Sequence, residues 1–303
     1  MKLKNQLLGL ALLLIAPSCQ LGESGIEATG ADSLRVLSYN TYYVFSKGTQ
    51  VDEATAWIAQ QAPDVMALQE LTNITEERLS ELAAGWGHEN SALLKTRGFS
   101  VGLTSEFPIE VIDKLLDGLH HGSLHARIGE IHFFVVHLSP FQWGTRTAEA
   151  KLLLAKIQPL LEQGQEVLVL GDFNALSPAD RLIMEAQPNE LQRARASDAK
   201  HDHVLNLKDG NFDYSVMQMF FDAGLEDVAL AHLEESGAPR WTIPTGIWSE
   251  AKVDAPERGA RIDFVLADPK LRSAAVSAQI IRKGVVNQTS DHYPVLVNFN
   301  LSR

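Results

Sequence analysis

The chain is expected to fold as an α/β protein on two sheets rather than one doubly wound sheet, for three reasons. Strand-like apolar runs and amphipathic helical stretches are mixed from about residue 33 to the end. No Pro/Gly-rich linker, internal repeat or low-complexity block divides them, so they read as one domain. Of the 303 residues, 45% are hydrophobic, enough for a sizeable core.

The beginning of the chain reads differently. Residues 7–16 are almost wholly apolar, follow Lys2 and Lys4, and are too few to span a bilayer, so residues 1–18 read as a secretory signal peptide. The single cysteine, Cys19, comes directly after Ala16-Pro17-Ser18, which resembles the lipobox of bacterial lipoproteins, whose cysteine is diacylated. Ala16 stands where such boxes usually carry a large aliphatic residue, and the same stretch suits plain cleavage after Ser18. Residues 19–32, poor in large apolar side chains, read as a lipid-anchored flexible tether before a folded domain over 33–303. The expected location is the bacterial cell envelope, with the exported chain anchored to a membrane at Cys19. With one cysteine the domain has no disulfide of its own to rely on.

From residue 34 the elements follow in order. Residues 34–39 read as a strand, 52–61 as a helix with Ala54, Trp57 and Ile58 on one face, and 64–69 as a buried strand. A helix over 75–84 ends where Gly85 can cap it. Strands are expected over 99–104, 124–128, 131–136 and 166–170, with a long helix over 145–163 whose final turn Pro159 should bend. Then come a long loop over 197–213, a helix over 214–222, and strands over 262–267, 275–281 and 295–301.

Polar residues punctuate these strands. Asn40, Glu70, His137 and Asp172 each stand at a strand exit, whereas Asp263 and the pair Asp291-His292 stand at strand entrances. If the latter strands run antiparallel to the former, all these groups meet at one edge. Gly171-Asp172-Phe173-Asn174, Arg261-Ile262-Asp263-Phe264 and Ser290-Asp291-His292 then supply carboxylates for a hard cation, an amide for phosphate and an acid–base histidine. That set points to metal-assisted phosphoester hydrolysis.

In order, Leu37-Ser38-Tyr39-Asn40-Thr41, Leu68-Gln69-Glu70, Val136-His137-Leu138 with Arg146 downstream, the two clusters at Gly171 and Arg261, and Ser290-Asp291-His292-Tyr293-Pro294-Val295 resemble the endonuclease/exonuclease/phosphatase superfamily. The resemblance spans roughly 34–301 and implies a four-layer α/β/β/α sandwich, two mixed sheets face to face with helices outside, as in deoxyribonuclease I. It implies that Glu70 is the main ligand of Mg²⁺, with Mn²⁺ able to substitute, assisted by Asn40 and Asp291. His292 becomes a general base or phosphate partner oriented by Asp263, and Asp172 positions or deprotonates the water. Asn174 and His137 donate to the phosphate, while Arg146 and His121 touch the substrate.

Plainer readings stand beside these. Glu70 suits a surface ion pair or helix cap, Asn40 a turn, Asp291 an Asx turn and His137 a strand-end surface position. His120, His121 and His125 suit a solvated loop, and His201-Asp202-His203 a solvated one rather than a metal site. Of Trp241 and Trp248, which flank 242–247, at least one suits the core.

With 26 basic and 38 acidic residues the formal charge is −12, which disfavours long duplex nucleic acid. A local gathering of Lys95, Arg97, Arg127 and Arg146 would reverse that judgement. The expected partner is a small or lipid-derived phosphate ester, and nothing calls for an obligate protein partner. The rival readings are an extracellular nuclease and a catalytically inactive surface binding module.

Overall fold

The structure, a computed structural model, describes residues 33–248 and 259–302. The signal peptide, the tether and Cys19 lie outside the described residues. Two six-stranded sheets carry the fold. The first contains β1 (Ser33–Asn40), β2 (Val65–Gln69), β3 (Asn90–Leu93), β4 (Gly102–Ser105), β11 (Ala275–Ile280) and β12 (Val295–Asn300), in the order β11-β12-β1-β2-β4-β3. The second contains β5 (Glu110–Leu115), β6 (Ser123–Ile128), β7 (Ile131–His137), β8 (Glu166–Asp172), β9 (Glu226–Asp227) and β10 (Asp263–Ala267), in the order β5-β6-β7-β8-β10-β9. Both sheets are mixed: β1 runs parallel to β2 and antiparallel to β12, and β7 parallel to β8, which is antiparallel to β10.

The period of two along each strand explains the layers. On β7, Phe133 and Val135 join the core between the sheets, while Phe134 and Val136 pack outward beneath helix α3 (Trp143–Glu162) with Leu153 and Ile157. On β1, Val36 faces the inter-sheet core, and Leu37 and Tyr39 face helices α1 (Val51–Gln61) and α2 (Glu76–Gly85) through Ala54, Ile58, Leu79 and Leu82. Strands buried on both faces read as continuous apolar runs, which is why they were visible in the sequence. Each such buried side chain contributes about 1.5–3 kcal/mol. The expected α/β/β/α sandwich is the observed one.

Several boundaries differ. The second helix runs through Gly85 and is closed by Trp86, whose N–H bonds the Ala83 carbonyl at 3.1 Å, while the Gly87 N–H bonds that of Ala84 at 3.2 Å. Gly85 serves packing instead, since a Cβ there would meet Thr55 Cγ2 of α1 at 2.7 Å. The strand expected from Phe99 begins only at Gly102, because the Ser100 carbonyl is already taken by the Leu71 N–H at 3.0 Å. The loop expected over 197–213 starts late, as a helix over Pro188–Lys200 takes its first four residues. That helix buries no residue, so it carries no apolar periodicity to detect. The edge strand β5 is largely exposed and was missed for the same reason.

His125 lies on β6 rather than in a loop. Its ring stacks on Phe134 at 4.0 Å, and its Nε2 meets His132 Nδ1 at 2.9 Å. Burial, then the neighbouring His132, push it down to about 4. A histidine depressed below its unfolded value of about 6.5 contributes stability above that pH, and loses it as pH falls from there towards its folded value. Thermal unfolding is therefore expected to show a falling Tm between pH 6.5 and 4, and His125→Phe to flatten that slope. An unchanged slope in the variant would remove His125 from the explanation.

Candidate active site

Three neighbouring strands of the second sheet bring their polar ends into register. His137 pairs with Asp172 across β7 and β8, and Asp172 pairs with Asp263 across β8 and β10. Gly171 makes the close approach possible. It sits at φ +138°, where a Cβ would lie 2.1 Å from the Val136 carbonyl oxygen. From the first sheet come Asn40, opposite Gln69, and then Glu70, which takes a left-handed φ of 59°. The Asn40 side-chain amide donates to Asp172 Oδ2 at 3.0 Å and, at 3.5 Å, to Glu70 Oε1, joining the two sheets at this edge.

Ser290 ties the last segment in. Its hydroxyl donates to the Asn40 carbonyl at 2.6 Å and accepts the His292 N–H at 3.1 Å. Thr242 holds the third strand's entrance, its hydroxyl accepting from the N–H groups of Ile262 at 3.1 Å and Asp263 at 3.3 Å. His292 Nδ1 then meets Asp263 Oδ2 at 2.9 Å, leaving Nε2 facing Asp172 Oδ2 at 3.8 Å and Asp291 Oδ1 at 3.9 Å. His137 Nε2 reaches the same Asp172 oxygen at 3.5 Å. Asp172 Oδ1 accepts the Asn174 N–H at 2.8 Å, and the Asn174 side-chain amide donates to the Leu138 carbonyl at 3.0 Å.

The electrostatics follow from four carboxylates in a poorly solvated edge. Burial raises Glu70 and Asp291, and it pushes Asp172 up to about 8 although His292 pulls the other way. Burial works to lower His292, yet Asp263, Asp172 and Asp291 together lift it well above the usual imidazole range. His137 falls well below it, through burial and then the neighbouring His121 and His292. One imidazolium cannot satisfy four carboxylates, and Asp291 Oδ1 is buried with no hydrogen-bond donor. Asp172, Asp263 and His292 present ligand atoms all within 4.8 Å of one another, a set able to coordinate a divalent cation. Because Asp263 occupies Nδ1, Nε2, once deprotonated, is the histidine nitrogen left for that role. The residues present therefore fit a hard cation.

The sequence from 37 to 292 matches the model of the endonuclease/exonuclease/phosphatase family. The chain belongs to this family. Solved structures of similar fold include an AP endonuclease from Archaeoglobus fulgidus, 16% identical with a TM-score of 0.63 over 88% of this chain and 99% of that one. A 3′ phosphatase from Neisseria bound to a product DNA hairpin is 16% identical with a TM-score of 0.64, over 88% and 99%. An endonuclease/exonuclease/phosphatase from Bacteroides vulgatus is 16% identical with a TM-score of 0.59, over 89% and 99%. No curated protein sequence matches the chain. At these identities the likeness is one of fold.

In this family member the sequence-predicted residues do meet. Asn40, Glu70, His137, Asp172, Asn174, Asp263, Asp291 and His292 share the edge described above. Arg146, in the first turn of α3, is buried and gives its Nη1 to the Ser139 carbonyl at 3.0 Å and to Asn206 Oδ1 at 2.7 Å. It lines a cleft of about 570 Å³ together with Asn174, Asp291 and His292. His121 stacks on His137 with centroids 4.0 Å apart, and burial, then His120 and Lys95, push it down to about 3. Arg127 stands apart from the site, pairing with Glu110 at 2.6 Å near the far end of β6, whose site end is Ser123. His201 and His203 sit on the surface side, His203 edge-on to Phe141. Trp241 is buried, as expected of one of the two tryptophans, and Trp248 is exposed.

Three contributors had no clear trace in the sequence. Glu149 is fully buried and its carboxylate accepts from the N–H groups of His120 at 2.6 Å and Ser139 at 2.8 Å, pinning the loops behind His121 and His137. Arg261 bridges Asp180 at 2.8 Å and Asp227 at 2.6 Å beneath Asp263. The third is a left-handed turn after Asn40. Tyr42 to Lys47 all have φ between 46° and 61°. Such backbone costs roughly 1–2 kcal/mol per L-residue. It is held by the Tyr43 N–H on Glu70 Oε2 at 3.2 Å, the Val44 N–H on the Glu70 carbonyl at 3.2 Å, and complete burial of Phe45.

Proposed function

We propose that the chain is an exported, lipid-anchored, Mg²⁺-dependent phosphohydrolase. It cleaves a phosphodiester or phosphomonoester by direct in-line attack of water, on a substrate that is small or lipid-derived. The observation that carries the reading is His292, fixed by Asp263 on one nitrogen and facing Asp172 and Asp291 with the other. Such a pairing orients the ring and favours its charged form.

Glu70, assisted by Asn40 and Asp291, would hold the cation, beside the cluster of Asp172, Asp263 and His292. When bound, the cation neutralises phosphate oxygens and the departing oxygen. The side chains supply the rest. Asp172, made more basic by burial, accepts the proton of the attacking water in its ionised form. His292, held cationic by its carboxylates, stabilises charge on the phosphoryl group. His137, kept neutral by burial, donates to a phosphoryl oxygen from Nε2. The free hydrogen of the Asn174 amide serves a second oxygen, and the buried Arg146 takes an anionic substrate group in the cleft. No covalent enzyme intermediate is required.

The test uses bis-p-nitrophenyl phosphate with and without Mg²⁺. Turnover is expected to require the ion, and Glu70→Gln to lower it at least 10²-fold, the scale of losing one charge-stabilising group. Mg²⁺ should also raise the Tm of the wild type more than that of Glu70→Gln. Metal-independent turnover, or equal shifts, would sink the assignment. For the anchor, radiolabelled palmitate is expected on the wild type and absent from Cys19→Ala.

A further inference from the structure

Neither the cation site nor the proton transfers explain why six consecutive residues beside Glu70 adopt left-handed backbone. Strain of this kind persists where the surroundings impose it, and it concentrates at working sites. Val44, β-branched at φ 61°, is the most costly member. What the turn achieves is placement of rings. Tyr43 hangs its N–H on Glu70 and turns its side chain outward, 38% exposed. Tyr42 meets Tyr43 edge-on at 5.4 Å and Trp248 at 6.2 Å, and Tyr43 meets Phe99 at 5.0 Å. Phe99 in turn contacts His121 at 5.3 Å, and His121 stacks on His137. An unbroken aromatic line thus borders the catalytic edge.

Two rings in that line are exposed, and each adjoins a carboxylate of the site. Tyr43 adjoins Glu70, and Trp248, 56% exposed, lines the same cleft as Asp291, which Arg146 and His292 share. Large exposed aromatics beside a polar site are unfavourable in the free protein and become favourable when a flat ring covers them. Lys47 lies over both tyrosine rings, 5.5 Å and 5.9 Å from their centroids, leaving a positive charge at the outer end.

Building on the phosphohydrolase reading, we infer that Tyr43 and Trp248 form a stacking subsite for a flat ring carried by the substrate next to its scissile phosphate. The substrate class is then a ring-bearing phosphoester, of the nucleotide or aryl type, rather than an alkyl or acyl-chain one. Stacking of a base on an aromatic side chain is worth about 1–3 kcal/mol, which corresponds to roughly 5- to 150-fold in affinity. The ring comes from a free mononucleotide-like molecule or from a single-stranded oligonucleotide, and the shared chemistry is the π-face.

The experiment compares thymidine 5′-(p-nitrophenyl phosphate) with methyl p-nitrophenyl phosphate on the wild type, Tyr43→Ala, Tyr43→Phe and Trp248→Ala. The wild type is expected to prefer the thymidine ester in kcat/KM. That preference should fall about tenfold in Tyr43→Ala and in Trp248→Ala, through KM, and be retained in Tyr43→Phe, which keeps the ring. An equal preference in all four proteins would overturn the subsite. Binding of thymidine 5′-monophosphate and of a thymidine hexanucleotide, followed by calorimetry, gives a readout independent of turnover. Tighter binding of the monophosphate identifies the free source, and tighter binding of the hexanucleotide the polymer. Wild-type binding unaffected by loss of either ring would refute the stacking, whereas ring-dependent binding without any hydrolysis would refute the phosphohydrolase reading alone.

Discussion

Replacing His292 by alanine is expected to lower kcat on an aryl phosphodiester by about 10³-fold or more, as loss of a central acid–base group does in comparable sites. It also strands Asp263, whose carboxylate is buried and whose partner at 2.9 Å would be gone. Breaking a buried pair from one side typically costs about 3–5 kcal/mol. The single variant should therefore be both inactive and less stable. Removing both partners, as His292→Ala/Asp263→Ala, should recover much of the stability and none of the activity. Activity and urea-unfolding curves on the three variants check this together. Recovery of turnover in the double variant would mean that the pair is structural rather than chemical.

The second large effect is expected at Gly171. Alanine there would require φ +138° and a Cβ 2.1 Å from the Val136 carbonyl, with Gln69 Nε2 3.1 Å away on the facing sheet. Backbone cannot retreat as a flexible side chain can, so β7 and β8 must separate where His137 and Asp172 are in register. A loss of about 3–5 kcal/mol follows from adding backbone strain to overpacking. At roughly 2–4 °C per kcal/mol the Tm should fall by about 10 °C or more, or the protein should fail to fold. Gly164→Ala provides the control: its φ is also positive, at +71°, but a Cβ would meet nothing within 4 Å. It should cost only about 1 kcal/mol. Equal losses at both positions would show that backbone strain alone, not the contact with Val136, makes Gly171 necessary.

What could be read ahead of the structure divides along physical lines. β1, β2, β7, β8 and β10 are buried on both faces, so their continuous apolar runs declare themselves, and the polar residue that bounds each run stands out. That is why the positions of Asn40, Glu70, His137, Asp172 and Asp263 were visible in advance. The helix over Pro188–Lys200 buries nothing and β5 is mostly exposed, so neither leaves an apolar pattern. Glu149 and Arg261 look like any charged residues in a chain; only burial and partners separate them from surface groups. The left-handed turn was beyond reach for a different reason. Tyr, Val and Phe argue locally against positive φ, and only Glu70, Thr41 and the pocket around Phe45 impose it.

Strand β1 also determines which way the site looks. It enters the fold at Ser33 and delivers Asn40 to the catalytic edge at its other end, a strand length of about 26 Å at 3.3 Å per residue. Anything that holds the protein through the segment preceding Ser33 holds it from the pole opposite its chemistry. If Cys19 is the point of attachment, the domain hangs from the bilayer with its cleft turned to the aqueous compartment. Its natural substrates would then arrive by diffusion from that side.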